Sequence, residues 1–176
     1  PGASVSDSAG AFALVRSGKL TAVVLGALQV DAEGSIANWS IPGGRIMGMG
    51  GAMDLVSGAK RVIVAMEHNA KNGAAKILKT CTWPLTGYQV ADTIVTELGV
   101  FAVTPQGIVV QELFPGITKE EVIRRTDAAL GEDAHDAGLA EDPEDLARSI
   151  GTRHARAPAV HAARESAHLA DREQAK

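Results

Sequence analysis

The sharpest chemical feature of the sequence is Gly48-Met49-Gly50-Gly51-Ala52-Met53-Asp54-Leu55, a glycine run leading into a predicted helix. Glycines let backbone N–H groups approach a ligand closely. A helix starting there turns its positive end to the same place. Together these suit a phosphate, a carboxylate or an oxyanion, although glycine-rich connections are also common as plain loops. The run lacks the Gly-Lys-Ser/Thr of a Walker loop and is not a clean dinucleotide fingerprint. Asp54, inside the helix, could anchor the run by accepting from its N–H groups. Glu67 and His68 follow directly on the apolar run Arg61–Met66. The carboxyl end of a parallel strand is where α/β sheets place their sites. The pair could supply a base, a nucleophile or a substrate anchor, or simply hydrogen-bond neighbouring loops. Lys71 and Lys76 could hold an anionic group or stand as solvated surface lysines. Cys81, in Cys-Thr-Trp-Pro with no His nearby in sequence, reads as a small buried apolar residue rather than a nucleophile. Trp39, next to Asn38, is expected to pack against the domain.

These residues need elements to position them. Ser6 or Asp7 can cap a helix over Ala9–Arg16 that Gly18 stops. Ala22–Val30 reads as a strand buried on both faces, and Asp31–Gly34 as a turn. Asn38–Gly50 is a loop punctuated by Pro42 and glycines, followed by a short helix over Gly51–Ser57. Arg61–Met66 is a second buried strand, His68–Gly73 a turn, and Ala74–Lys79 a short amphipathic segment. Thr93–Val103 and Ile108–Leu113 are strands around a Thr104–Gly107 hairpin turn. Thr118-Lys119-Glu120-Glu121 is a capping box opening a helix through Arg125. The fold class is therefore α/β: an open, mostly parallel sheet with flanking helices and a C-terminal hairpin.

The 176 residues are 45% hydrophobic but only 3% aromatic, so the core must be aliphatic. The net charge of -4 argues against a general grip on nucleic acid or anionic lipid. The single cysteine cannot form an internal disulfide, which fits a cytoplasmic setting. No apolar run is long enough for a membrane helix, and no secretion signal is visible. A metal site is not expected, because four of the five His lie beyond Asp127 without Cys partners. Pro1–Thr126 carries 11 basic and 10 acidic residues, whereas Asp127–Lys176 carries 6 and 11. That last stretch holds only six large aliphatics, so it is expected to be a disordered or loosely helical tail after a domain over 1–126.

Several runs occur in fixed order: Ala37-Asn38-Trp39 with Ile41-Pro42-Gly43, the glycine run 48–55, and Val64-Ala65-Met66-Glu67-His68 with Ala70-Lys71. Cys81-Thr82 with Pro84-Leu85-Thr86-Gly87, Thr96-Glu97-Leu98 with Val100-Phe101, and Ile108–Leu113 follow. In these runs, over about residues 1–126, the chain resembles the B (beta) subunit of the 3-oxoacid CoA-transferases. The Met-Glu-His, Ala-Lys and Lys76-Ile77-Leu78 pieces favour the succinyl-CoA:acetoacetate type over the related 3-oxoadipate subunit, with a 3-oxoadipate or butyrate–acetoacetate CoA-transferase B subunit as the alternative. The resemblance implies a ping-pong exchange in which a glutamate carboxylate attacks an acyl-CoA and becomes a glutamyl–CoA thioester. Coenzyme A is then a substrate and not a bound cofactor. The partner is a CoA-transferase A subunit in a hetero-oligomer, with acyl-CoA and 3-oxoacid as substrates and no role for nucleic acid or membrane.

Gly48, Gly50, Gly51 and Ala52 match the family's glycine-rich loop and are expected to present N–H groups to the acyl group or CoA. Asn38, Glu67, His68 and Lys71 are candidate site-lining residues. The family's nucleophile lies in a Ser-Glu-Asn-Gly motif, which occurs nowhere in this sequence. Glu67 belongs to a different matching segment and does not replace it. The resemblance thus implies an N-terminally truncated polypeptide, with its nucleophilic Glu upstream of Pro1 and no activity of its own. The stretch 127–176 has no counterpart in the family pattern. Two other readings stay open: a non-catalytic module of related fold that binds a small anion at Gly48–Ala52, and a surface that only pairs with a partner chain.

Overall fold

The computed structural model describes residues 4–131, apart from 45, 47 and 49. Helix α1 (Ser8–Arg16) begins where Asp7 Oδ1 accepts from the Gly10 N–H at 2.7 Å. That bond satisfies one of the donors a first turn leaves open, so Asp7 and not Ser6 is the cap. Gly18, at φ +67°, takes the chain out of the helix.

The single strand expected over Ala22–Val30 is instead two strands in two sheets: β1 (Val23–Leu25) and β2 (Gln29–Asp31). The polar residues of β2 explain the split. Gln29 Oε1 accepts from the N–H groups of Thr82 and Trp83 at 3.0 and 3.1 Å. Asp31 accepts from Glu33, Ser35 and Cys81. Both are buried and must be partnered there, so this end of the run follows its partners away from β1. Nor is β1 buried on both faces, since Val24 is 65% exposed.

Strand β3 (Ile36–Ala37), helix α2 (Ala52–Gly58), strands β4 (Val62–Ala65), β5 (Ile77–Leu78), β6 (Thr93–Val95), β7 (Gly99–Thr104) and β8 (Gly107–Leu113), and helix α3 (Lys119–Arg125) complete the order. The larger sheet runs β1-β4-β6-β7-β8. Its first three strands are parallel, with Val23 opposite Val62 and Ile63 opposite Thr93. The expected hairpin, β7 with β8, adds the antiparallel side. The strand expected over Thr93–Val103 breaks into β6 and β7, because Thr96 closes a tight turn: its N–H donates to Gly99 O, and its Oγ1 accepts from the Leu98 N–H. The second sheet, β3-β2-β5, is additional to the sequence expectation; the segment Ala74–Lys79 contributes β5 to it.

The capping box is as expected, with Thr118 Oγ1 accepting from the Glu121 N–H at 3.3 Å. Val62, Val64, Ile77, Ile94, Ile108 and Val122 are fully buried. Each such side chain contributes about 1.5–3 kcal/mol, which gives the aliphatic core the composition requires. Packing continues past the expected boundary at Thr126: the Asp127 and Ala128 N–H groups donate to Ile77 O, and Gly131 N–H donates to Ile108 O. The expected tail from 132 onward lies outside the described residues. Among the described residues no helix is long and apolar enough to cross a membrane.

Candidate functional site

The glycine run is hung between two anchors. At its upstream end Asn38, just after β3, donates from Nδ2 to Gly26 O at 3.2 Å, beyond the carboxyl end of β1. The Thr86 hydroxyl donates to Asn38 Oδ1 at 2.5 Å, and Trp39 Nε1 donates to Leu85 O at 3.2 Å. Asn38 is thus a brace that ties the loop's origin to the sheet, and Trp39 packs as expected. Between the anchors the Gly44 N–H donates to Ile41 O at 2.9 Å, and Ser40 pairs with Ile46. Gly48 and Gly50 are exposed, with φ +81° and +48°, and an added Cβ at either would meet nothing within 4 Å. Both glycines are therefore open on the side where a side chain would stand.

At the downstream end the run meets α1. Gly51 is half-buried, and a Cβ there would run into the ring of Phe12. Ala52 opens α2. Asp54 does not anchor the glycine run, in contrast to the sequence expectation. It accepts from Arg16 Nε at 2.9 Å, and this bond holds its carboxyl below the usual carboxylate range. A cation placed one helix away outcompetes neutral N–H donors for that carboxylate.

Glu67 and Lys71 come together elsewhere, in an open depression of about 700 Å³ that Asn69, Gly73, Glu97 and Arg125 also line. Neither Asn38 nor any residue of the glycine run lines it. Arg125 dominates this cluster, donating to Asn69 Oδ1 at 2.7 Å and to Glu121 and Glu97 at 3.2 Å. His68 is no base. It is fully buried and stacks at a tilt on Phe101, with ring centroids 5.5 Å apart. Its Nε2 lies 2.8 Å from Thr126 Oγ1, whose own hydroxyl donates to Val122 O, so Nε2 carries the proton and donates. Its Nδ1 lies 3.1 Å from Thr96 Oγ1 and accepts. Burial pushes its pKa down to about 4, with the Arg125 charge adding to that and Glu97 opposing it. His68 therefore stays neutral and joins β6's end to α3, the hydrogen-bonding role that the sequence offered as its alternative. Burial also lowers Lys76, against the pull of Glu67 and Glu97. Cys81 is half-buried and not fully buried as expected; burial, then Asp31, push its thiol up to about 12, which argues against a nucleophile. Among the described residues no group of three or more His, Cys, Asp or Glu could hold a metal ion.

The family model described as Coenzyme A transferase matches residues 1–125. The chain belongs to the coenzyme A transferase family. It is 50% identical over 128 residues to the beta subunit of the Escherichia coli (strain K12) acetate CoA-transferase, covering 73% of this chain and 59% of that one. It is 45% identical over 128 residues to the B subunit of the Helicobacter pylori succinyl-CoA:3-ketoacid coenzyme A transferase, covering 73% and 62%. The chain thus spans about three-fifths of the length of these relatives. Solved structures share the fold. An acyl-CoA transferase from Escherichia coli O157:H7 matches with a TM-score of 0.62 at 18% identity, over 84% of this chain and 33% of that one. The decarboxylase AibA/AibB matches with 0.55 at 20%, over 81% and 61%. A fold shared by a transferase and a decarboxylase does not by itself fix the chemistry.

Within this coenzyme A transferase chain, the structure separates two groups that the sequence left side by side. The glycine run lies open at one place, while Glu67 and Lys71 line the other. Sequence reasoning missed the Phe12–Gly51 contact and the Arg125 cluster. Glu97 and Arg125 stand 28 residues apart, and no local spacing signals such a pair. Gln29 was the one polar residue near the end of the Ala22–Val30 run, but only its partners Thr82 and Trp83 show that the run divides.

Proposed function

We propose that this chain supplies the acyl-binding part of the B subunit of a 3-oxoacid CoA-transferase that moves CoA between succinyl-CoA and acetoacetate. The observation that carries the reading is the family match over residues 1–125 with an open glycine run at its centre. In this reading a glutamate outside these 176 residues attacks the acyl-CoA thioester carbonyl. The carbonyl electrons move onto oxygen, and backbone N–H groups of Gly48, Gly50, Gly51 and Ala52 stabilise that oxyanion. Collapse expels CoA thiolate and leaves a mixed anhydride. The thiolate attacks the glutamyl carbonyl, releases succinate and leaves a glutamyl–CoA thioester. Acetoacetate then reverses the sequence and leaves as acetoacetyl-CoA. Coenzyme A is a substrate throughout, and the proposed setting is a cytoplasmic hetero-oligomer with an A subunit.

Lys71 and Glu67 line a depression apart from this path and take no chemical role in it. Asn38 acts by bracing the loop's origin. The proposed domain comprises residues 1–126 with the packed segment after it. The test mixes the 176-residue chain with an A subunit, succinyl-CoA and acetoacetate. No acetoacetyl-CoA above background is expected, because the nucleophile is missing. Turnover would overturn the reading and return Glu67 to consideration. A complex that contains the outside glutamate should turn over.

A further inference from the structure

We propose that Phe12, on α1, is a positioning residue that fixes the backbone of the glycine run at Gly51. The inference rests on the proposed role of that run in acyl transfer. An added Cβ at Gly48 or Gly50 would meet nothing within 4 Å, so no neighbour packs on that side of either residue. The run therefore takes its geometry from its ends. Upstream, nine residues separate Asn38 from Gly48, and the bridge between Ser40 and Ile46 within them ends before the glycines. The downstream end is different. The Phe12 ring lies where a Gly51 side chain would be, so the ring and the bare backbone pack directly.

The same helix pins α2 at two further points. Arg16 holds Asp54 at 2.9 Å, and Gly58 lies so close to the Val15 carbonyl that a Cβ there would come within 2.5 Å of its oxygen. Arg16 and Asp54 are well exposed, so that pair adds little by itself. Phe12 is the contact that reaches the glycine run. The Gly51 carbonyl also accepts the first helical bond of α2, from the Leu55 N–H at 3.1 Å. Fixing Gly51 therefore fixes both the start of the helix and the direction of the peptide groups before it. Preorganised donors are what an oxyanion site requires. Phe12 would not touch substrate in this arrangement; it acts through Gly51.

The experiment compares Phe12→Ala, Phe12→Leu and Val15→Ala in the assembled enzyme that contains this sequence with its A partner. Val15 is a buried residue of the same helix that packs at Gly58 and not at the glycine run, so it controls for lost α1 packing. Two quantities are read on each: amide exchange at Leu55, and the single-turnover rate of thioester formation per folded complex with succinyl-CoA. Phe12→Ala should speed exchange at Leu55 by about tenfold and slow thioester formation by about 10- to 100-fold. Phe12→Leu should recover most of both, and Val15→Ala should leave the rate per folded complex unchanged. Unchanged exchange at Leu55 in Phe12→Ala would overturn the positioning role and leave the reading of the glycine run standing. Faster exchange with an unchanged rate would sink that reading, and this proposal with it. A rate loss in Val15→Ala equal to that in Phe12→Ala would overturn the proposal too, by making the effect one of general packing.

Discussion

Gly50, His68 and Cys81 show how position decides what a reactive-looking residue does. Gly50 sits at φ +48° in open space. Gly50→Ala should therefore cost only about 1–2 kcal/mol of stability, yet crowd the acyl group. Alanine keeps the N–H, so the loss comes from pushing the acyl oxygen off that donor, and its upper bound is the 100- to 1,000-fold in turnover, about 3–4 kcal/mol, of a lost oxyanion donor. Melting temperature and turnover on one preparation check this, and full turnover per folded complex would remove the run from the site. Gly51 is a poorer probe, because any side chain there also displaces Phe12. His68 makes a pH prediction. Its folded pKa of about 4 lies below the ordinary 6.5. Its neutral form is the one the fold accepts, so its contribution is complete above pH 6.5 and is lost as pH falls toward 4. The full loss is about 3 kcal/mol. Urea unfolding at pH 7.5, 5.5 and 4.5 should show a decline that His68→Gln largely abolishes; an equal decline in that variant would contradict the assignment. Cys81, with its thiol pushed up to about 12, should react with thiol reagents at pH 8 only on unfolding.

Helices were legible in the sequence because their ends are written locally. Asp7 and Thr118 accept from N–H groups three residues on, and Gly18 ends α1 at a positive φ. Thr118→Ala should lower stability by about 1 kcal/mol, measured as a shift in the urea midpoint at constant slope. Strands were less legible, since apolar runs do not say which sheet they join. Ala22–Val30 looked continuous, and only the partners of Gln29 and Asp31, more than fifty residues away in sequence for Thr82, reveal that it divides. The same limit hid the Arg125 cluster and the seat of Gly51 on Phe12, which depend on elements meeting in space. The glycine run itself was legible because its residue types are unusual. Asp54 misled because its partner, Arg16, lies on another helix.

At the scale of the molecule, β1 ends the larger sheet among the described residues, and Val24 on it is 65% exposed. An open strand edge with an apolar side chain is a template for association. Sedimentation of the 176-residue chain alone should show species that grow with concentration, whereas a monomer over a wide range would contradict this. The central claim is that the chain contributes oxyanion donors but not the nucleophile. The direct measurement is mass spectrometry of the assembled enzyme after succinyl-CoA and before acetoacetate, with the covalent CoA adduct mapped by peptide. The adduct is expected on a glutamate outside residues 1–176, formed more slowly when Gly50 is changed to Ala. An adduct on Glu67, or on any other glutamate of this chain, would contradict the account, as would a complete and active complex that never carries covalent CoA.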